Sequence, residues 1–208
     1  MRRASAAVYA VSAGMLFGFV VCGQEPEKST APFWDKVYSR NSEIFSHQPT
    51  ELLKLAVKDR TPGKALDIGM GQGRNSIFLT RQGWDVTGFD PSPEGIRQAK
   101  AAAQELKLRL NALVTREENF DLGQEKWDLI VMTYVRLVNG EDAARFQRAL
   151  RPGGIFVYEN NNAGVPNELL RAFSGFRILR FEDVDAYTDW HPDKKQQVVR
   201  LIAERTAK

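Results

Sequence analysis

The chain has 208 residues, 43% of them apolar and 26% charged: enough for one domain with a sizeable core, too short for two ordinary domains and a linker, and too apolar for a disordered chain. Its 29 basic and 26 acidic residues are interspersed, with none of the basic faces or stripes that nucleic-acid binding requires, so no nucleic-acid partner is expected. A lone cysteine, Cys22, and two histidines, His47 and His191, exclude an internal disulfide and a thiolate metal cage and argue against a histidine-based metal site.

From the N-terminus, Arg2 and Arg3 precede an uncharged run from Ala6 to Val21 that is rich in Ala, Gly and Ser. Residues 1–23 therefore read as a secretory signal peptide or an uncleaved membrane anchor, either of which would bring the N-terminus to a membrane. Without this segment, which holds two arginines and no acid, 27 basic residues face 26 acidic ones and the domain is nearly neutral. Residues 24–32 are polar with two prolines and read as a tether, so the folded domain is expected over 33–208.

Beyond the tether, helical spacing of Leu52, Leu53, Leu55 and Ala56 predicts a helix over 51–58, stopped by Thr61-Pro62-Gly63. Strands are predicted at 64–69, 84–89 and 109–114, with helices at 75–82 and 93–106 between them. Strands at 127–133 and 155–158 flank a helix over 141–150. A helix at 167–173 and strands at 176–181 and 197–203 complete the chain. Apolar runs alternating with helices imply a mainly parallel sheet covered on both faces. Between the last two strands the sequence reads as irregular and includes Tyr187, Trp190 and Pro192; without a crossover helix this pair should be antiparallel at the sheet edge. The expected fold class is α/β, a Rossmann-like three-layer sandwich with a mixed, mostly parallel seven-stranded sheet ending in that pair.

The strand at 64–69 runs into Asp67-Ile68-Gly69-Met70-Gly71-Gln72-Gly73, a loop with glycine at every second position, and then into a helix. Glycines there permit positive φ and close approach of a ligand to the backbone, and the helix amides that follow favour negative groups. The next strand ends at Phe89-Asp90, which places a carboxylate where nucleotide-binding α/β folds accept hydrogen bonds from ribose hydroxyls. A dinucleotide site would space its glycines Gly-x-Gly-x-x-Gly; here the third glycine comes one residue early.

This loop resembles that of the class I methyltransferases dependent on S-adenosylmethionine (SAM). The extension Gly71-Gln-Gly-Arg-Asn-Ser76, with Gly83-Trp-Asp-Val-Thr-Gly-Phe-Asp90, Trp127-Asp-Leu-Ile-Val131 and Leu150-Arg-Pro-Gly-Gly-Ile155, is similar to small bacterial methyltransferases of the tellurite-resistance type. The resemblance spans roughly 33 to 203. It implies SAM as cofactor, with Gly69, Met70, Gly71 and Gly73 around its methionine moiety, Asp67 supporting the loop and the cofactor's ammonium, and Asp90 on the ribose. The acidic residue that commonly meets adenine after the third strand is replaced by Arg116, which leaves the following Glu117 as the candidate.

The sulfonium already activates the methyl group, so the protein mainly has to align a nucleophile and exclude water. Acceptor residues should come from the carboxyl ends of the strands and from the lid that precedes them. Tyr134, Arg136, Glu159 and 160–162 are candidates from the strand ends, and Trp34, Tyr38 and His47 from the lid. No nucleophile–base–acid arrangement for covalent hydrolysis is visible. The expected function is methyl transfer to a small-molecule acceptor, the alternative being a methyltransferase-like protein that binds SAM or a partner without catalysis. The leader points to a secreted, periplasmic or membrane-anchored protein, the cofactor to the cytoplasm where it is made. Oligomeric state is not legible.

Overall fold

Two helices, α1 (Ala31–Arg40) and α2 (Glu51–Val57), precede a run in which strands and helices alternate: β1 (Lys64–Ile68), α3 (Arg74–Arg81), β2 (Asp85–Asp90), α4 (Pro93–Glu105), β3 (Asn111–Val114), β4 (Trp127–Thr133), α5 (Gly140–Ala149), β5 (Leu150–Asn160) and α6 (Glu168–Ala172). Strands β6 (Arg177–Thr188) and β7 (His191–Glu204) close the chain. The computed structural model describes residues 31–40, 46–161, 164–165, 167–188 and 191–207; the expected leader at 1–23 and tether residues 24–30 lie outside them.

The strands form one sheet in the order β3-β2-β1-β4-β5-β7-β6. Strands β1 to β5 are mutually parallel, and β7 runs antiparallel to both β5 and β6. This is the mixed Rossmann-like sheet that the alternation implied. The chain order reverses beside β1, between β2 and β4, and that reversal opens a crevice at the carboxyl ends of the central strands.

Helices on both faces explain why the central strands are continuous apolar runs rather than alternating ones. Leu129, Ile130, Val131 and Met132 of β4, and Ile155, Phe156 and Val157 of β5, are fully buried. On one face, Phe156 stacks on Phe146 of α5 at 4.6 Å and on Phe173 at 5.1 Å between ring centroids. On the other, Leu53 of α2 and Leu79 of α3 pack with Trp84, Val86 and Val131. Local signals agree with these packings. Ser92 caps α4 by accepting from Gly95 N, with Pro93 in the first turn, and Asn139 and Asp142 form a reciprocal capping box on α5.

Four elements differ from the sequence expectation: α1, the last two strands, and β5, which starts at Leu150 rather than Ile155. Helix α1 begins at Ala31, two residues inside the expected tether. The last two strands are far longer than 176–181 and 197–203, and Tyr187, read as irregular, lies within β6. The acidic stretch Glu182-Asp183-Val184-Asp185 lacks a strand-like apolar pattern; it is strand because β7 pairs with it, from Glu182↔Arg200 to Asp185↔Gln197. Pairing of β5 with β7 stops at Asn160↔Val199, so the distal part of the β6–β7 hairpin reaches past the carboxyl end of β5.

The three stacked phenyl rings predict that Phe156→Ala costs about 3–5 kcal/mol, the range for truncating a fully buried phenylalanine, measured by urea unfolding. A loss under about 1 kcal/mol would show that the core collapses around the gap.

Candidate functional site

Strand β1 delivers the chain to a loop whose backbone only glycine accommodates. Gly69, Gly71 and Gly73 have φ of 68°, 52° and 85°, conformations that side chains with a Cβ resist. Close approach is a second constraint. A Cβ on Gly69 would lie 2.4 Å from Val135 Cγ2, one on Gly71 2.6 Å from Tyr38 Oη, and one on Gly73 2.9 Å from Ala99 Cβ. The first two glycines border the crevice, whereas the third lets α3 start against α4. Met70 is buried beneath the loop, its amide donating to Phe89 O at 3.0 Å. Gly88 makes room for it, since a Cβ there would meet Met70 Sδ at 2.4 Å.

Two buried carboxylates flank this loop on adjacent strands. Asp67 Oδ2 accepts from Ser76 Oγ at 2.7 Å. Burial pushes its pKa up to about 6, against the opposing pull of the Ser76 hydroxyl and the Arg74 charge. Asp90 accepts from Gly71 N at 3.0 Å through Oδ2 and from Ser92 N at 2.8 Å through Oδ1. Its pKa is also raised by burial, with those two amide bonds working the other way. Each carboxylate oxygen can accept more than one hydrogen bond, so both groups keep capacity for a ligand.

Helix α1 covers the loop from outside. Asp35 Oδ1 accepts from Ser92 Oγ at 2.5 Å and from Glu94 N at 3.1 Å, which ties α1 to the first turn of α4. Tyr38 lies over Gly71 and Gly95, and Trp34 stacks on it with centroids 6.0 Å apart. Burial, followed by the Asp90 charge, holds the Tyr38 hydroxyl above the usual phenol range.

These parts surround one cavity. Asp67, Gly69, Met70, Gly71 and Asp90 line one wall; Trp34, Tyr38 and His47 form the cover; Thr133, Tyr134 and Val135 form the far side, beyond Arg74 and Asn75. Asn75 spans the floor, accepting from Thr50 N at 3.1 Å and donating to Thr133 Oγ1 at 3.1 Å. Of the residues singled out from the sequence, Gly73, Glu117, Arg136, Glu159, Asn160 and Asn161 are not among those lining the cavity. Glu117 follows β3 and accepts from Arg136 Nε at 2.9 Å and Nη2 at 2.6 Å, and the same guanidinium binds both oxygens of Asp142. The candidates Arg136 and Glu117 are thus bound to each other. Asn162 lies outside the described residues, and Asn160 donates to Tyr158 Oη at 3.0 Å.

Sequence reasoning missed Asp35, Asn75, Ser76 and Ser92. Ser92-Pro93 before an Ala-rich helix is a cap signature that could have been found. Asp35 carries no such signal, because its partners lie 57 and 59 residues away in sequence.

Residues 65–154 match the family model described as a methyltransferase domain. Among curated relatives, "Hemagglutinin 1" of Eikenella corrodens is 33% identical over 159 residues, 72% of this chain and 51% of that protein. The "Ubiquinone biosynthesis O-methyltransferase" of Methylobacterium sp. (strain 4-46) is 37% identical over 113 residues, 52% of this chain and 43% of that one. TehB of Haemophilus influenzae, a "Probable S-adenosyl-L-methionine-dependent methyltransferase", is 28% identical over 146 residues, 65% and 48% of the two chains. The crystal structure of TehB from that organism superposes with a TM-score of 0.65 at 20% identity, covering 83% of this chain and 67% of TehB, which shows the shared fold. The chain spans about half the length of the curated relatives it matches.

Fold, glycine loop and family model together place a methyltransferase domain with the class I fold at residues 65–154. Its similarity to TehB relates it to the tellurite-resistance type, and the family implies SAM as cofactor.

A buried carboxyl that holds its proton up to about pH 6 has a consequence for stability. The folded chain binds that proton more tightly than the unfolded chain, whose aspartate titrates near 3.8. The stability it contributes is full below that value and is lost as the pH rises through about 6. Asp67→Asn keeps an oxygen for the Ser76 hydroxyl and never ionises. Without cofactor, the variant should be about 1–3 kcal/mol more stable than the native chain at about pH 7.5, with the gap closing below about pH 4. Urea unfolding at both pH values checks this, and a variant less stable at both would contradict the burial argument.

Proposed function

We propose that this chain is an enzyme that transfers the methyl group of SAM to a small-molecule acceptor. The observation that carries the reading is the pair of buried carboxylates, Asp67 and Asp90, at the ends of adjacent strands on either side of a glycine loop. The cradle is one that any Cβ at Gly69 or Gly71 would fill, and its donor set fits the cofactor. Asp67 is a desolvated carboxylate suited to an ammonium. Asp90 presents an acceptor to ribose hydroxyls. Gly69 and Gly71 let the methionine moiety lie against the backbone, Met70 adds an apolar contact, and Gly73 sets the packing of α3 on α4 that shapes the loop. We place Glu117 behind the adenine end, acting through Arg136 on the segment after β4.

Bound SAM supplies an electrophilic methyl group; the chain's residues bind, orient and dehydrate. Trp34 and Tyr38 on α1 close the crevice, and water exclusion strengthens each electrostatic contact inside. The methyltransferase domain is placed at 33–208, downstream of a tether and a leader or anchor at 1–23.

Asp90→Ala should weaken SAM binding at least about tenfold, the worth of one or two hydrogen bonds to a charged acceptor, with the circular dichroism of the native fold; unchanged affinity would remove Asp90 from the ribose. For Gly71→Val, whose side chain would meet Tyr38, binding should be lost while the fold persists. Transfer itself is read by incubating the chain with methyl-labelled SAM and a metabolite extract. Label in a small molecule is the expected result, and label confined to macromolecules would contradict the acceptor class.

A further inference from the structure

Helix α1 sits on the domain without being part of its core. It is 10 residues long, Tyr38 is its one buried side chain, and among the described residues none of α1 belongs to the hydrophobic clusters around the sheet. A helix that short is marginal in water by itself, so α1 is helical because it is docked. Docking places the Tyr38 ring in a slot between two glycines. A Cβ on Gly71 would lie 2.6 Å from Tyr38 Oη, and one on Gly95 3.1 Å from Tyr38 Cε2.

Two hydrogen-bonded paths lead from α1 to the glycine loop. In the first, Asp35 Oδ1 accepts from Ser92 Oγ at 2.5 Å and from Glu94 N at 3.1 Å, and Ser92 N donates to Asp90 Oδ1 at 2.8 Å. Ser92 Oγ also accepts from Gly95 N at 3.0 Å, so the hydroxyl caps α4 while its single hydrogen goes to Asp35. The first turn of α4 thus serves two carboxylates, one from the cover and one from the sheet. In the second path, Gln98 Nε2 donates to Tyr38 O at 3.1 Å, and Gln72 Nε2, from the loop itself, donates to Gln98 Oε1 at 2.6 Å. Both paths end beside Gly71, whose amide donates to Asp90.

We propose that Asp35 is a positioning residue for the cofactor: through Ser92 it couples the docking of α1 to the geometry of Asp90, and so sets how long bound cofactor stays. This inference rests on the SAM-binding reading above. Cofactor that fixes Asp90 and the loop also fixes Ser92 and Gln98 where α1 needs them. By linkage, docked α1 favours bound cofactor by the same factor. Trp34 and Tyr38 of α1 line the cavity, so the cofactor leaves when α1 lifts. What matters at position 35 is an acceptor in the right place rather than a charge. The Asp35 charge works against Asp90, adding to the burial that raises its pKa, and an amide oxygen at position 35 would accept the same two hydrogen bonds without that repulsion.

The test uses the full chain and S-adenosylhomocysteine, the demethylated cofactor, with association and dissociation rates read separately by surface plasmon resonance. Asp35→Ala should speed dissociation about tenfold, the worth of hydrogen bonds to one charged acceptor, and leave association within about threefold. Asp35→Asn should keep dissociation within about threefold of the native rate, since the acceptor is retained. Hydrogen exchange on the native chain needs no variant: S-adenosylhomocysteine should slow exchange of the amides of α1 at least about tenfold. Unchanged dissociation in Asp35→Ala, a loss that falls on association alone, an Asp35→Asn variant as impaired as Asp35→Ala, or α1 exchange indifferent to the ligand would overturn the proposal. Failure of the native chain to bind S-adenosylhomocysteine would instead strike the SAM-binding reading.

Discussion

Two carboxylates buried at the carboxyl ends of adjacent parallel strands are the constraint around which the site is built. Removing a carboxylate from water is costly unless it is hydrogen-bonded or meets a cation, and the surrounding residues answer that cost. Ser76 donates to Asp67; the amides of Gly71 and Ser92 donate to Asp90. For Asp67 the compensation is incomplete, since its pKa is pushed up to about 6. A bound ammonium would complete it, so stability withheld from the empty domain is available to binding. The glycine loop, the cap of α4 and the docking of α1 by Asp35 follow from the same arrangement, because each supplies or orients one of the groups that meet these carboxylates.

The far side of the crevice follows a different logic. Hydrogen bonds there run between side chains, from Tyr134 after β4 across β5, β7 and β6, and the left-handed backbone of Tyr134 is held by contacts to β5 rather than by its own sequence. The long β6–β7 hairpin contributes through Arg200 and Glu182, which fix Glu159 from behind. One side of the crevice is thus backbone geometry set by glycine spacing, and the other a side-chain network set by strand order.

That division explains what could be read before the structure. Glycine positions, apolar runs and the strand-end aspartate are local signals, so the parallel sheet, the loop and Asp90 were all legible from short segments. The antiparallel ending was legible because no crossover helix fits between the last two strands. The length of that hairpin was not, since Glu182-Asp183-Val184-Asp185 is strand only by virtue of its partner. Similarly, Tyr134 and Glu159 both stood out as strand-end residues, but their mutual bond depends on two positions 25 apart in sequence being brought together in register. Glu117 shows the same limit: its position after β3 suggested adenine, while its bonds to Arg136, 19 residues further on, carry no local signal.

The most direct test of the account is calorimetric titration of the chain with SAM, S-adenosylhomocysteine and NAD in parallel. The account predicts micromolar binding of the first two and none of NAD, since the glycine spacing and the Asp67–Asp90 pair suit an ammonium and one ribose rather than a pyrophosphate. Binding of NAD, or of neither sulfur compound, would contradict it.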